Sequence, residues 1–333
     1  MRTSTPIRTL LVLVVLALVA TACSDDDGGP LTVYSGRNEE LVGPLLDRFT
    51  DETGIEIEVR YGDSPELAAT IREEGTNSPA DVFFAQDPAS LGAVAELLTP
   101  LPGSIVELVP ARFSDATDRW VGVSGRSRVV VYDTRDVDAA ELPDSVFDLT
   151  DPVWHGRVAV APTNGSFVAF VAAMILTDGE DRTREWLEAM AAAGAPTYPK
   201  NSVIVAAVDD GEVDAGLVNH YYLFRRIAEL GDVEAANHFL AGGPGALVMP
   251  AGVGILATTD QEADAQRFVE FLLSQEAQQY FSDETFEYPL LPGVAADPAL
   301  PPIETLAQPD IDLSALAGAL DRATDLIAEA GLL

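Results

Sequence analysis

The stretch LTVYSGRNEELVGPLLDRFTDETGIEIEVRY, residues 31–61, changes its hydrophobic period twice. LTVYSG (31–36) is a short apolar run that ends in a turn, which predicts a buried strand. In EELVGPLLDRFTDETG (39–54), apolar residues recur at helical spacing and Gly54 closes the segment, which predicts a helix. IEIEVRY (55–61) alternates apolar and polar residues, as a half-buried strand does. Strand, helix and strand in this order favour an α/β fold with a parallel sheet.

The same alternation continues towards the C-terminus and restarts once, so the folded part, about 300 residues from Leu31 onwards, has room for two α/β domains. We detect no short repeat. Further strands are predicted over 80–86, 128–134, 157–162, 214–219 and 245–257, and further helices over 65–75, 88–98, 167–176, 183–194, 221–231, 263–283 and 313–333.

The first residues predict export. Two arginines precede the apolar run LLVLVVLALVA (10–20), and small residues follow it. This is the pattern of a secretory signal, which we assign to residues 1–22. The run is too short for a lasting membrane span, which needs about 20 apolar residues.

Cys23 is the one cysteine of the chain, so it cannot form an internal disulfide. The segment ALVATAC (17–23) resembles a bacterial lipobox, which implies that Cys23 is the lipidated first residue of the mature protein. An ordinary signal cleavage that leaves a free thiol is the alternative. Residues 23–30 are acidic and glycine-rich, as in a flexible tether.

The chain carries 54 acidic and 19 basic residues, a net charge of −35. Nucleic-acid binding rests on Lys and Arg that meet phosphates, so this composition argues against it. It also argues against a surface that adheres to anionic lipid. Membrane contact is therefore expected through the lipid anchor only.

Ligands of open α/β sheets bind beyond the carboxyl ends of the strands, where helices begin. Five strand-to-helix loops are small and polar: SGRNE (35–39), AQDPA (85–89), PTNGS (162–166), PKNSV (199–203) and VNHYY (218–222). A site built from them would consist of amides, hydroxyls and two phenols.

Asn164, Gly165 and Ser166 open a predicted helix, and backbone N–H groups at such a position favour an anion. The pair Tyr221–Tyr222 has two interpretations. Packing is one, since neighbours on a helix point about 100° apart. Binding of a hard trivalent cation by both phenolates is the other, because such an ion suits deprotonated oxygen ligands. Ca²⁺ and Mg²⁺ prefer carboxylates, and Zn²⁺ prefers Cys or His.

Seven short sequence motifs occur in a fixed order between residues 31 and 333: LTVYSG, EEG–SPADVFF, SGRSRVVVYDTR, PTNGSF, KNSV, DAGLVNHYY and GALV. In this combination the chain resembles the ferric-iron-binding solute receptors of ABC importers, the bacterial "transferrins". The resemblance implies a two-domain periplasmic-binding-protein type II fold with a hinged interdomain cleft, a monomer, an ABC permease as partner and no enzymatic activity. It also implies that Tyr221 and Tyr222 bind Fe³⁺ together with carbonate, phosphate or citrate.

The anion-binding residues that the resemblance implies are Asn164, Gly165, Ser166, Asn201, Asn219 and Arg126. The chain departs from the pattern at Asn38 and Gln86, where several members have His and Glu as further ligands. Asp87 is a candidate substitute, and all three are expected near the metal. Other members add a third tyrosine where this chain has Ser166 and Phe167.

The resemblance places the lobe boundaries. We expect an N-terminal lobe from residues 31–127 and 250–302, and a C-terminal lobe from residues 128–249 and 303–333. The hinge is expected near Gly125–Val129 and the GALVMPAG stretch (245–252).

Two other functions stay open at this point. The first is a receptor of the same fold for an anion, such as a phosphonate or phosphate, or for a ferric chelate, with the tyrosines as cleft walls. The second is an exported hydrolase, but the sequence offers no nucleophile elbow, no Cys–His pair and no metal-ligand His pair.

Replacing Cys23 tests the anchor. Cys23→Ala should release the protein into the medium or leave it unprocessed, because no other thiol can carry the lipid. Fractionation of cells that express the variant measures this, and the purified soluble protein should still bind its ligand. A variant that stays membrane-bound and is cleaved as before would contradict the lipoprotein prediction.

Overall fold

The computed structural model describes residues 29–333. The predicted signal peptide, Cys23 and most of the tether lie outside this range. No helix in the described range is both long and apolar enough to cross a membrane.

The strands of the described range build one mixed sheet in the order β2-β1-β3-β8-β4-β6-β5, with β7 and β9 each paired to β4. The first three strands are parallel, as predicted from the opening stretch, and β8 runs antiparallel to β3 and to β4. The strands are β1 (Leu31–Ser35), β2 (Ile57–Tyr61), β3 (Val82–Ala85), β4 (Val121–Asp133), β5 (Val158–Ala159), β6 (Ala215–Asn219), β7 (Ala235–His238), β8 (Val248–Ile255) and β9 (Tyr288–Pro289).

Helices cover the sheet. The first of them starts at Glu39, buries the apolar stripe from Leu41 to Phe49 and ends at Gly54, whose positive φ of 72° and N–H bond to the Thr50 carbonyl terminate it. The helices are α1 (Glu39–Thr53), α2 (Ser64–Glu74), α3 (Pro88–Ala93), α4 (Gly103–Val106), α5 (Gly165–Asp178), α6 (Glu180–Ala192), α7 (Asn201–Asp209), α8 (Tyr221–Leu230), α9 (Glu262–Leu272), α10 (Gln275–Asp283) and α11 (Leu320–Glu329).

Strand β4 joins two parts of the sheet. Its residues 121–127 pair with β8 and β9, whereas its residues 128–133 pair with β6 and β7. We call the part around β1, β2, β3, β8 and β9 the first lobe, and the part around β5, β6 and β7 the second lobe. A second passage between the lobes is the segment that leads from β7 into β8.

The second half of β4 contains the apolar run VVV (129–131), which is buried on both faces of the strand. Val130 belongs to the core cluster that contains Phe167 and Phe170 of α5, whereas its neighbours Val129 and Val131 point to the other face and belong to the cluster that contains the buried residues of α7. Helices α5 and α7 are thereby placed on opposite sides of the strand that carries the lobe crossing.

The C-terminal segment contacts both lobes. Residues 313–319 pack against α3 so closely that a Cβ on Gly92 would lie 3.0 Å from the Ala317 Cβ, and the Ser314 hydroxyl donates to Asp115 at 2.7 Å. Helix α11 then packs against α5 and α6. The predicted division of the chain into lobes stays a prediction.

Several predicted elements differ from the observed ones. The helix predicted over 263–283 is broken, because Ser274 accepts a hydrogen bond from Ala277 N and starts α10 as its N-cap. Over 313–333 the first residues form a 3₁₀ helix, and the α-helix begins at Leu320. The strand predicted over 157–162 is reduced to two residues.

Candidate metal centre

The two lobes face each other across a cleft of about 770 Å³. One wall comes from the loops after β1, β2 and β3, and the other from the loop before α5, the start of α7 and the outer face of α8. Of the predicted site residues, those that line the cleft are Asn38, Gln86, Asp87, Arg126, Asn164, Gly165, Ser166 and Tyr222.

The predicted anion cradle forms a connected set of polar groups. The Asn164 side-chain oxygen accepts from the Ser166 N–H at 3.1 Å, from the Ser166 hydroxyl at 2.6 Å and from the Asn201 amide at 3.2 Å. Asn164 therefore serves as the N-cap of α5 and holds Ser166 and Asn201 in place. Gly165 faces open space in the cleft, since a Cβ there would meet no atom within 4 Å.

Tyr221 and Tyr222 begin α8, and their rings stack with centroids 4.3 Å apart. Tyr221 is 3 % exposed, whereas Tyr222 lines the cleft. Burial raises the pKa of the Tyr221 phenol well above its ordinary value, and the neighbouring Tyr222 adds to this while Arg126 opposes it. The phenol is thus protonated at neutral pH unless a cation displaces its proton.

His220 fixes the start of α8 against both lobes. Its Nδ1 accepts from the Ser127 N–H at 3.1 Å, and its Nε2 donates to the Phe286 carbonyl at 2.7 Å. Burial lowers the pKa of this imidazole to about 4, so the ring is neutral at physiological pH. A buried ring held at both nitrogens orients the tyrosine that follows it.

Arg126 lies between the lobes at the back of the cleft and is 3 % exposed. Its Nη1 is 3.0 Å from the Gln86 oxygen when that amide is oriented so that its nitrogen also reaches the Gly36 carbonyl. Its Nε is 4.0 Å from a Glu287 oxygen. Gln86 therefore supports Arg126 through a contact that a neutral amide can make.

Glu287 is fully buried and forms an ion pair with Arg37, whose Nη2 donates to both carboxylate oxygens at 2.9 Å. The Ser124 hydroxyl donates to the same carboxylate at 2.7 Å. Burial acts to raise the pKa of Glu287, but the positive charges of Arg37 and Arg126 outweigh it and hold this pKa below its ordinary value. The first lobe, β4 and the segment before β9 are joined at this carboxylate.

Arg128 is a further cation of the site that the sequence-based prediction did not include. It lies two residues after Arg126 and hence on the same face of β4. It donates to the Ser166 carbonyl and stacks over Phe170 at 5.2 Å. Burial, followed by repulsion from Arg126, lowers its pKa to about 9. The alternation of strand residues in SGRSR, which puts Arg126 and Arg128 on one face, is the signal that could have identified it.

The other predicted residues lie at a helix cap, on the exposed cleft wall and in a buried strand. Asp87 caps α3, and its two oxygens accept from the Ser90 N–H at 2.8 Å and the Ser90 hydroxyl at 3.0 Å. Asn38 precedes α1 and is exposed on the cleft wall. Asn219 is buried opposite Arg128 in β6, behind the cleft. Within residues 29–333, no group of three or more His, Cys, Asp or Glu side chains could hold a metal ion.

Two α/β lobes that share a strand and enclose a polar cleft define a substrate-binding protein. Residues 73–313 match the family model described as bacterial extracellular solute-binding protein, and the chain belongs to that family. It is a family of solute-binding transport proteins rather than of enzymes.

The chain is 36 % identical to the major ferric iron-binding protein of Neisseria meningitidis serogroup B, over 98 % of this chain and 99 % of that protein. Iron-bound HitA from Pseudomonas aeruginosa has a similar structure, with a TM-score of 0.85 and 35 % identity over 91 % of this chain and 99 % of that one. FutA from Trichodesmium, in complex with iron and citrate, has a TM-score of 0.80 and 28 % identity over 91 % and 99 %. The predicted resemblance and the type II binding-protein fold are confirmed.

Neutralising Glu287 should destabilise the protein. Glu287→Gln leaves Arg37 buried without its counter-charge, which costs about 3–5 kcal/mol in the free energy of unfolding at neutral pH. The lowered pKa of Glu287 means that its contribution is complete above pH 4.5 and is lost as the pH falls through the folded-state value. The difference between wild type and variant should therefore shrink below pH 4.5.

Urea unfolding at pH 7 and at pH 4 measures both effects. Glu276→Gln is the matched control, since Glu276 pairs with Arg48 on the surface at 3.5 Å and is 54 % exposed. Equal, small effects of both variants at pH 7 would contradict a structural role for the buried pair.

Proposed function

We propose that this protein is an extracytoplasmic receptor that binds ferric iron, together with a synergistic anion, in the cleft and delivers it to an ABC permease. The observation that carries the proposal is the stacked pair of phenols at the start of α8. The ring of Tyr221 is buried, and the ring of Tyr222 faces the cleft. The similarity to proteins named for ferric iron binding, and to iron-bound HitA, supports the same cargo.

The chemistry of the pair fits a trivalent cation. A phenol whose pKa is raised by burial binds a metal only if the metal displaces the proton, and a hard Fe³⁺ ion can do this. Both phenolates would then be ligands, with Tyr222 on the solvent side. His220, held at both ring nitrogens, keeps the first phenol in position.

An anion completes the charge balance. Two phenolates leave one positive charge on Fe³⁺, and Arg126 and Arg128 add positive charge at the back of the cleft. Carbonate, phosphate or citrate can supply both oxygen ligands and negative charge. We assign the anion to Asn164, Gly165, Ser166 and Arg126, with Asn201 holding the loop and Asn219 behind it. The complex of Trichodesmium FutA with iron and citrate supports an anion of this class.

Delivery requires that the lobes open and close, and we place the hinge at the β4 crossing near Ser127 and at the segment that enters β8. Arg225 of α8 lies 3.7 Å from Glu40 of α1, so an ion pair already links the two lips of the cleft. Lipid anchoring through Cys23 and action as a monomer are part of the proposal.

A second candidate function is a receptor of the same fold for phosphate, a phosphonate or a ferric chelate. The neutral side chains at Asn38 and Gln86 favour it, since both positions on the cleft wall offer an amide rather than a charged oxygen to a metal. Asp87 is already engaged as a helix cap. The iron titrations described next distinguish the two functions.

Replacing either phenol should weaken iron binding strongly. Tyr221→Phe and Tyr222→Phe remove one oxygen each, so the phenolate-to-iron charge-transfer band should vanish or shift, and affinity should fall by about 100-fold or more, which corresponds to about 3 kcal/mol. Affinity of the wild type should also fall as the pH falls, because protons compete for the same oxygens. Visible spectroscopy during ferric titration measures both.

Tyr132→Phe is the control, since Tyr132 lies on β4 outside the cleft. The Tm of the iron-free variants should differ little from that of the wild type. If both site variants keep the colour and the affinity, the tyrosines are cleft walls and the second function replaces the first.

Iron binding should depend on the anion. Titration in buffer stripped of carbonate, phosphate and citrate should give weak colour, and adding one of them should restore it, because the cleft offers too few strong donors by itself. Arg126→Gln should weaken this restoration more than an exposed replacement such as Arg267→Gln. Full colour without any anion would mean that the protein supplies further ligands, with Asp87 the first to examine.

A further inference from the structure

At the back of the cleft lies a small pocket of about 20 Å³, which we call the inner pocket and which shares Asp87, Arg126 and Ser166 with the cleft lining. Its polar lining comes from Asp87, Arg126, Arg128, Ser166 and Asn219. Its apolar lining comes from Ala169 and Phe170 of α5 and from Pro244, Leu247 and Met249. A cavity of this size holds about one water-sized group.

The inner pocket contains two arginines to which no carboxylate of the described residues makes a hydrogen bond. Arg126 Nε and Arg128 Nη1 are both buried, and within residues 29–333 neither has a hydrogen-bond partner. Arg128 forms no ion pair with a carboxylate of the described residues, and the 4.0 Å distance from Arg126 to Glu287 is too long for a hydrogen bond. Glu287 is moreover already paired with Arg37 through both oxygens.

Asp87 does not neutralise the pair. Its two oxygens accept from Ser90, and it makes no contact within 4.0 Å that qualifies as an ion pair with either arginine of the described site. Two buried guanidinium groups on one face of a strand repel each other and need a counter-charge. The chain as a whole is strongly acidic, so this cationic spot is a local feature and not a consequence of composition.

We propose that the inner pocket binds a monatomic monovalent anion of the size of chloride in the iron-free protein, with Arg128 as its principal partner. The apolar wall decides between ligand classes. The oxygens of an oxyanion need hydrogen bonds, and those that face Phe170 and Leu247 would have none. A halide can contact apolar groups without leaving an oxygen unpaired. A water molecule would satisfy the N–H groups but would leave the charge uncompensated.

This site goes beyond the proposed function, since it needs no iron and its principal residue is not among those assigned to the synergistic anion. It shares Arg126 with that assignment. A resident halide would offset part of the positive charge behind the tyrosines, and the iron-linked anion would then bind in front of it, towards Asn164.

Crystals of the iron-free protein soaked in sodium bromide provide a direct test. The anomalous map should show a bromide peak between Arg126 and Arg128. A map with no peak in the inner pocket, or with a water molecule there, would overturn the proposal. The result does not depend on any variant and is independent of the iron titrations that test the proposed function.

Thermal unfolding of the iron-free protein provides the second test. At constant ionic strength, set with sodium methanesulfonate, chloride and bromide should raise the Tm saturably by about a few degrees. Arg128→Met should lose this rise, Arg128→Lys should keep part of it, and Arg267→Gln, an exposed charge-neutralising control, should keep all of it. Persistence of the full rise in Arg128→Met, or a rise with phosphate or carbonate but not with halides, would overturn the proposal and make the pocket the inner end of the oxyanion site.

Discussion

The buried ion pair between Glu287 and Arg37 lies where three distant parts of the chain meet. Arg37 follows β1, Ser124 comes from the middle of β4, and Glu287 precedes β9. A fully buried carboxylate is stable only when its charge and its lone pairs are satisfied. The three parts of the chain must therefore be held in the positions that bring Arg37 and Ser124 to Glu287. That arrangement sets the position of Arg126, and through β4 it fixes where the second lobe begins.

The site is cationic because the fold buries positively charged side chains at the crossing between the lobes. Arg126 and Arg128 share one face of β4, and Glu287 compensates Arg37 more closely than either of them. The buried phenol of Tyr221 lies near the same charges, and Arg126 opposes the effect of burial on its pKa. An acidic protein thus keeps a cationic region at the one place where an anion and a trivalent metal are proposed to bind together.

Local sequence patterns predicted helices and strands well where neighbouring residues in the sequence decide the structure. The apolar stripe and terminal glycine of α1 and the polar loop before α5 are examples. Patterns failed where a neighbour in space decides. The long helix predicted near the C-terminus is broken at Ser274, and residues 313–319 take a 3₁₀ conformation where they pack against α3. Strand β9 has two residues and exists because it pairs with β4, which no local pattern reveals.

The sequence by itself determined the α/β class, the resemblance to iron receptors and the candidate roles of Tyr221, Tyr222 and the Asn164 loop, because these follow from periodicity and from short motifs. Only the tertiary structure decided that Glu287 pairs with Arg37, 250 positions away, and that Arg128 lies buried behind the cleft without a carboxylate partner among the described residues. It likewise decided that Asp87 is engaged as a helix cap. The physical reason is that the energy of a buried charge depends on every group packed around it, and those groups come together only when the chain folds.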